Sequence, residues 1–479
     1  MRVADTAELP PMTKPVKIFL VTLGTLVGIA ILVPVALYLF VDINDYKPKL
    51  EAAASGVSGM QVTLGGKMHI VVSTGVSVRF TDVRVHNRGS NFVDAGNVDV
   101  GLELWPLIHG KVSVNALSLQ HVNVSVERER DGTFNFRNPG TRPGSLPAIQ
   151  LADISISDAK FHYLDKRSGT RINIGACDIH VDHAGLVGGS SADLMQALSL
   201  KTHVDCAKLQ TGNVAATGLS FPLTADAGLV KANPITMNVF DGHGSGSVRG
   251  DFSDESPAYV VDFSISGLDV DKFLRTVAVH GNVNGALNLS TRISLSGAAS
   301  KQLLRSADGT ISLHGGDLTV SGINLDDAIS KFKTSQRFNL VDAGAFLFAG
   351  PFGLAVTKGY DFASITQAAN GNTRIRKLVS DWRVQHGMVS ARDVAMATAK
   401  NRIAVKGTVD LVNKRYEGVA IAVVDARGCA LVRQRIHGSF AHPVIEQPSE
   451  WSYSSTGGVK ALQPPGGRRQ SVPSMWAHP

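Results

Sequence analysis

Hydrophobic and polar positions change rhythm once along this chain, separating an apolar run from a long strand-forming remainder. Ile18 to Val41, IFLVTLGTLVGIAILVPVALYLFV, holds no charge over 24 positions. A helix of that length covers roughly 36 Å, enough for a ~30 Å hydrocarbon core with some tilt. The run exceeds the ~7–15 apolar residues of a signal peptide. Tyr38, Leu39 and Phe40 also stand where a cleavage site needs small side chains. A retained anchor is expected, kinked at Pro34, which membrane helices tolerate. Arg2, Lys14 and Lys17 precede it, while Lys47 and Lys49 follow. A short leading tail flanked by lysine stays inside and sends the remainder out.

Beyond the anchor, Asp42 and Asn44 predict a capped helix through Tyr46, Leu50 and Ala54, ended by Gly56 and Gly59. From Gln61 the period is two, the mark of half-buried strands. Val98, Val100, Leu102 and Leu104 alternate with polar or small residues. Val112 and Val114, then Leu117 and Leu119, then Val122, Val124 and Val126 change phase at short intervals, predicting turns or bulges between consecutive strands. A strand is expected to end at Asp131-Gly132, with Phe134 and Phe136 alternating after it.

The alternation resumes after a Pro/Gly/Arg break at 137–147, with Ile149 and Leu151, Ile154 and Ile156, Phe161 and Tyr163, and Ile172 and Ile174. Val261, Phe263 and Ile265 form a later set, followed by Leu287, Leu289, Ile293 and Leu295. Short helices are expected near Leu194–Leu198 and Asp269–Ala278, and an amphipathic one over Asn324–Phe338. Ile403, Val405, Val409 and Leu411, then Val419, Ile421 and Val423, predict a closing meander across an Asn413–Tyr416 turn. The divisions that follow are a tail at 1–17, the anchor at 18–41, and strand regions at 42–140, 141–308 and 309–448. A disordered Ser/Gly/Pro tail is expected at 449–479.

Composition refines this picture without redirecting it. Aromatics are 6% and glycines number 48, which favours many short strands and turns over aromatic cores. No second apolar run reaches ~18 residues, so a single span is expected. The formal charge of +7 and pI near 9.2 come from scattered basic residues, which argues against a nucleic-acid surface. Cys177, Cys206 and Cys429 are too few and too dispersed for a zinc site. In an exported protein they allow one disulfide and a leftover thiol; Cys177, in phase with Ile179 and Val181, equally suits a buried apolar position.

Catalytic patterns are missing: the sequence has no P-loop, HExxH, GxSxG, EF-hand or CxxC. Gly242-His-Gly-Ser-Gly-Ser-Val-Arg-Gly250 fails dinucleotide spacing and reads as a glycine-rich hairpin. His180 and His183 fall on opposite faces of a strand and its exit. Asp326-Asp327 suits a helix start. No enzyme, cofactor or metal is expected. The positive signal is one aliphatic face on many successive strands. Either those faces pack as a dry core, or they line an open groove holding acyl chains.

At several motifs the chain resembles the AsmA family. These are Val41-Asp-Ile-Asn-Asp-Tyr-Lys-Pro-Lys-Leu-Glu51, VRFTDVRVHN from Val78, Leu104-Trp-Pro-Leu-Ile-His-Gly110 and VERERDGTFNF from Val126. Gly350-Pro-Phe-Gly353, Lys358-Gly-Tyr360, Leu378-Val-Ser-Asp-Trp-Arg383, Ala397-Thr-Ala-Lys-Asn-Arg402 and Gly438-Ser-Phe-Ala-His-Pro443 continue it, while 137–308 match only in texture.

The resemblance implies a single-pass protein of the Gram-negative inner membrane, its amino terminus cytoplasmic and its bulk periplasmic. It further implies outer-membrane biogenesis, with a long twisted antiparallel sheet curled into an apolar groove or partial barrel, plus a few short helices. The expected partners are phospholipids, the inner membrane and an envelope protein, with no nucleic acid. A non-catalytic scaffold for outer-membrane proteins is the alternative. The groove candidates are Val98, Val100, Leu102, Leu104, Val122, Val124, Ile154, Ile156, Val261, Phe263, Leu287, Leu289, Ile403, Val405, Val419 and Ile421. At ~10 residues per strand and turn, ~25–30 strands are expected, reaching on the order of 120–140 Å at ~4.8 Å spacing.

Overall fold

The computed structural model describes residues 43–450 except 73–75, 88, 104–105, 107–113, 137–144, 147–148, 187–188, 191–193, 255, 277–281, 323, 328, 331–370 and 448. The run Ile18–Val41, most of Asn324–Phe338 and the tail from 451 lie outside those residues. Among the described residues no helix is long and apolar enough to cross a membrane.

A 3-10 turn, Ile43–Tyr46, leads into a helix at Lys47–Ser58 with Pro48 in its first turn and Gly59 ending it in the left-handed region, φ 66°. The strands begin with β1 (Gln61–Leu64), β2 (His69–Val72), β3 (Val76–Asn87), β4 (Ser90–Leu102) and β5 (Val114–Arg128). Next come β6 (Ser145–Leu146), β7 (Ile149–Asp165), β8 (Arg171–Leu186), β9 (Gly189–Ser190), β10 (Leu198–Thr211) and β11 (Val214–Asp226). They continue with β12 (Leu229–Val239), β13 (Gly242–Asp251), β14 (Ala258–Asp269), β15 (Asn282–Asn284), β16 (Ala286–Ser296) and β17 (Asp308–Ser321). The last are β18 (Asn372–Gln385), β19 (Met388–Ala397), β20 (Arg402–Asp410), β21 (Arg415–Val424), β22 (Ala430–Ser439), β23 (Pro443–Ile445) and β24 (Ser449–Glu450). Short helices at Leu194–Ala197, Val270–Thr276 and Ser300–Ser306 interrupt the series. The first two fall where the sequence places them.

Twenty-two strands form one open, curled, mainly antiparallel sheet, and β6 and β9 pair separately. From β10 to β14 each strand pairs with the next, and from β16 to β22 likewise. The exception is β5 beside β7, which run parallel. A parallel pair needs a crossover connection rather than a tight hairpin, and 20 residues separate Arg128 from Ile149. Several hairpins close on two residues with positive φ: Ala227-Gly228 (46°, 85°), Phe240-Asp241 (52°, 58°) and His386-Gly387 (52°, 77°). Two such residues make the turn whose twist matches the strands.

The phase changes in the apolar pattern fall inside strands rather than between them. Val114–Arg128 is one strand, and His121, between Leu119 and Val122, has φ 54°. Asp82 on β3 (55°), Asp158 on β7 (49°), Ala176 on β8 (51°) and Gly218 on β11 (60°) interrupt their strands in the same way. The register between β3 and β4, β4 and β5, β5 and β7, and β8 and β10 runs unshifted through these positions, so neighbouring strands turn together there and apolar side chains return to one face on both sides. Phe134 forms no strand; it makes a single bridge to Arg128 and stacks on Phe136, centroids 5.1 Å apart.

The helix Lys47–Ser58 closes the first end of the sheet. Leu64 N–H donates to Glu51 Oε1 (2.7 Å), Val62 N–H to Ser55 Oγ (2.9 Å) and Met68 N–H to Asn44 Oδ1 (2.8 Å). The first two of these bonds occupy backbone donors of β1, which would otherwise invite pairing with another chain. Asn44 thus ties the helix to the sheet and does not cap it.

Candidate apolar trough

Register converts the bends into a shape. Residues directly paired across a sheet project to the same face. On one face, Val83 pairs with Ala95 and Ala95 with Val122; further along, Ala159 pairs with Cys177, Cys177 with Cys206, and Cys206 with Leu219. Apart from the half-buried Val83, these residues are 0–8% exposed and belong to one cluster. They lie beside the bends and form a floor.

A row of larger apolar residues flanks the floor on either side. Phe80, Val98, Leu119, Ile156, Ile179, Val204 and Phe221 are linked pair by pair from β3 to β11. Across the floor, Val85, Val93, Val124, Phe161, Ile174 and Leu209 are linked likewise. Both rows are half-buried. A sheet sandwiched against a second layer would bury such side chains fully; a trough buries its floor and leaves its walls partly open.

The opposite face is polar. Ser155, Asp178, His180, His203 and Asp205 are exposed there. Arg79 is bidentate to Asp99, opposite it on β4, at 2.6 and 2.8 Å, and this contact raises the guanidinium's pKa above its ordinary value. Lys201 reaches Asp182 (3.3 Å), and Arg374 reaches Asp317 (2.8 Å). Exposed pairs of this kind add little stability but keep the convex surface wet. Among the described residues no group of three or more His, Cys, Asp or Glu is placed to hold a metal ion.

The candidates from the sequence divide by burial. Val98 and Ile156 stand in one wall and Val124 in the other, and Val122 is on the floor. Val100 and Ile154 both pair with Leu117 in a further half-buried row, and Leu102 pairs with Val76 and Val114 near the strand end. Leu104 lies outside the described residues. Val261, Phe263 and Leu289 are half-buried, whereas Leu287 is 2% exposed. Ile403, Val405, Val419 and Ile421 are 0–2% exposed in a second cluster that includes Trp382 and Val389, where Val405 pairs with Ile421.

Alternation alone misses the floor residues Ala95 and Ala159 because they are small. Their signal is the phase change itself, since each sits within two residues of a bend or its partner.

No curated protein and no solved structure matches this chain. The model of the AsmA family matches residues 12–185 and 189–393, which includes the middle stretch where the motifs fade. The match spans most of the sequence, and the chain belongs to the AsmA family.

Proposed function

We propose that the trough holds phospholipid acyl chains and that the protein handles lipid between the membranes of the cell envelope. Family membership points to envelope and outer-membrane biogenesis. The observation carrying the finer reading is the pair of half-buried aliphatic walls beside a fully buried floor. Each methylene moved from water onto such walls contributes about 0.8 kcal/mol, so a chain of many methylenes binds without any charged contact. The wall positions carry no polar group to fix a headgroup, which suits a carrier of lipid tails rather than an enzyme.

Two features favour a bulk outside the cytoplasm with the first strands at the inner membrane. Cys177 and Cys206 form a disulfide, the bond of an oxidising compartment. Tyr46 and Leu50, just past the uncharged run, are 51% and 42% exposed and suit a membrane interface. A photoreactive residue in place of Val100 in living cells tests the reading. A phospholipid adduct is expected, and its absence under conditions where a known lipid carrier gives one refutes it.

A further inference from the structure

The apolar face does not keep one character along the sheet. From β3 to β11 its walls are half-buried, but from β18 to β22 the clustered face is solid. Ile375, Trp382, Val389, Val394, Ile403 and Ile421 are each 0–1% exposed. Trp382 sits at the start of that block, paired with Ile311 of β17, and its Nε1–H donates to Ser380 Oγ at 2.8 Å. Its indole is therefore held in one place by packing and by a satisfied donor.

The two clusters meet at Leu209, Met237 and Phe263, which pack against both. Phe263 lies there for a reason written in the glycine-rich stretch of β13. It pairs with Gly246, and its ring covers Gly244 and Gly246 so closely that a Cβ on Gly246 would collide with it. Val248, two residues further on the same strand face, is still 36% exposed. The open trough therefore persists up to β13–β14; behind it Leu287 on β16 and Leu313 on β17 are each 2% exposed, and the half-buried Leu289, Ile293 and Ile311 pack against the solid cluster that continues through Trp382.

We propose that the trough is blind: acyl chains occupy it from β3 to Phe263 on β14 and stop there, because Trp382 and the strands behind it fill the space. This rests on the lipid-binding reading. Ten strands in register, β3–β5, β7, β8 and β10–β14, span about 43 Å at ~4.8 Å spacing, roughly a third of the length that an end-to-end groove would reach. Lipid would then leave over a rim of the trough or return the way it came, and a partner receiving it would dock alongside β11–β14 rather than at the far end of the sheet.

Tryptophan quenching in the full chain tests the stop. Trp105, Trp451 and Trp476 are replaced by phenylalanine, leaving Trp382 as the only tryptophan. A second protein adds Phe221→Trp in the wall. Each is reconstituted in vesicles of phospholipid with brominated acyl chains. No loss of Trp382 emission is expected, together with a new, quenchable component from Phe221→Trp. Loss of Trp382 emission overturns the blind end while leaving lipid binding intact. No quenching in either protein overturns the lipid reading and the stop with it.

Discussion

Cys177 and Cys206 stand opposite each other on β8 and β10, and their disulfide lies on the floor of the trough with both residues buried. The floor requires small side chains, and a cross-strand disulfide meets that need while tying β8, beside its bend at Ala176, to its neighbour β10. Cys429 is the free, exposed thiol.

Opening this bond removes a cross-link over a sequence separation of 29. The double replacement Cys177→Ala, Cys206→Ala is expected to lower stability by about 3 kcal/mol, chiefly by freeing the unfolded chain. Urea unfolding checks the magnitude. Thiol labelling of the unfolded wild type should count one reactive cysteine before reduction and three after.

Val204 on the wall and Ser155 on the convex face separate binding from folding. Val204→Asp puts a charge where an acyl chain would run, and is expected to abolish lipid adducts at Val100 while the protein still unfolds cooperatively. Ser155→Asp, facing solvent, should leave adducts unchanged. Equal adduct yields from both variants would favour a scaffold acting through protein contacts. Leu102→Asp extends the test to the first strands.

Asn135 holds the loop after β5. Its side chain donates to Ser125 O (2.8 Å) and accepts from Glu127 N–H (3.1 Å), while Asn87 Nδ2 donates to its backbone carbonyl (2.6 Å). Asn135→Ala strands Ser125 O and Glu127 N–H while keeping the carbonyl that Asn87 reaches, and is expected to cost about 2 kcal/mol. The loss should appear in the unfolding midpoint and as faster amide exchange at Glu127.

Tyr416 packs against Phe440, ring centroids 5.0 Å apart, and burial pushes its hydroxyl pKa up to about 12. The folded value lies above the unfolded one, so this contribution is complete below pH ~10 and is lost as pH rises towards 12. At most about 3 kcal/mol is involved. Tyr416→Phe is expected to flatten the alkaline arm of the stability curve and leave the neutral region little changed. Denaturation between pH 9 and 12 measures it (range set by the ordinary tyrosine pKa of ~10).

Much of the fold is legible from period-two alternation because a strand's two faces are written directly in its side chains. The helices at Leu194–Ala197 and Val270–Thr276 are legible too, the latter opened by Asp269, whose Oδ1 accepts from Lys272 N–H at 2.9 Å. What alternation does not convey is depth. Val98 and Val405 have the same spacing and chemistry, yet one is half-buried and the other 2% exposed. Burial depends on what curls over a strand, and that is set by bends at residues such as His121 and Asp158. Their positive φ has no pattern of its own in the sequence; only the slip in apolar phase betrays it. The pairing of Cys177 with Cys206 has the same origin, since it depends on the β8–β10 register.

The order of the strands has a consequence for how the molecule comes into being. Nearly every strand from β7 onward finds its partner in a neighbour along the chain, so the sheet can lengthen one hairpin at a time from its first strands. Local pairing of this kind limits the loop-closure entropy that slows other large β-proteins. A growing edge would still be sticky, and β23 and β24 cover the last long strand at Ile436–Gly438 and Val432–Arg433. Growth from one end stops where the chain supplies its own terminator.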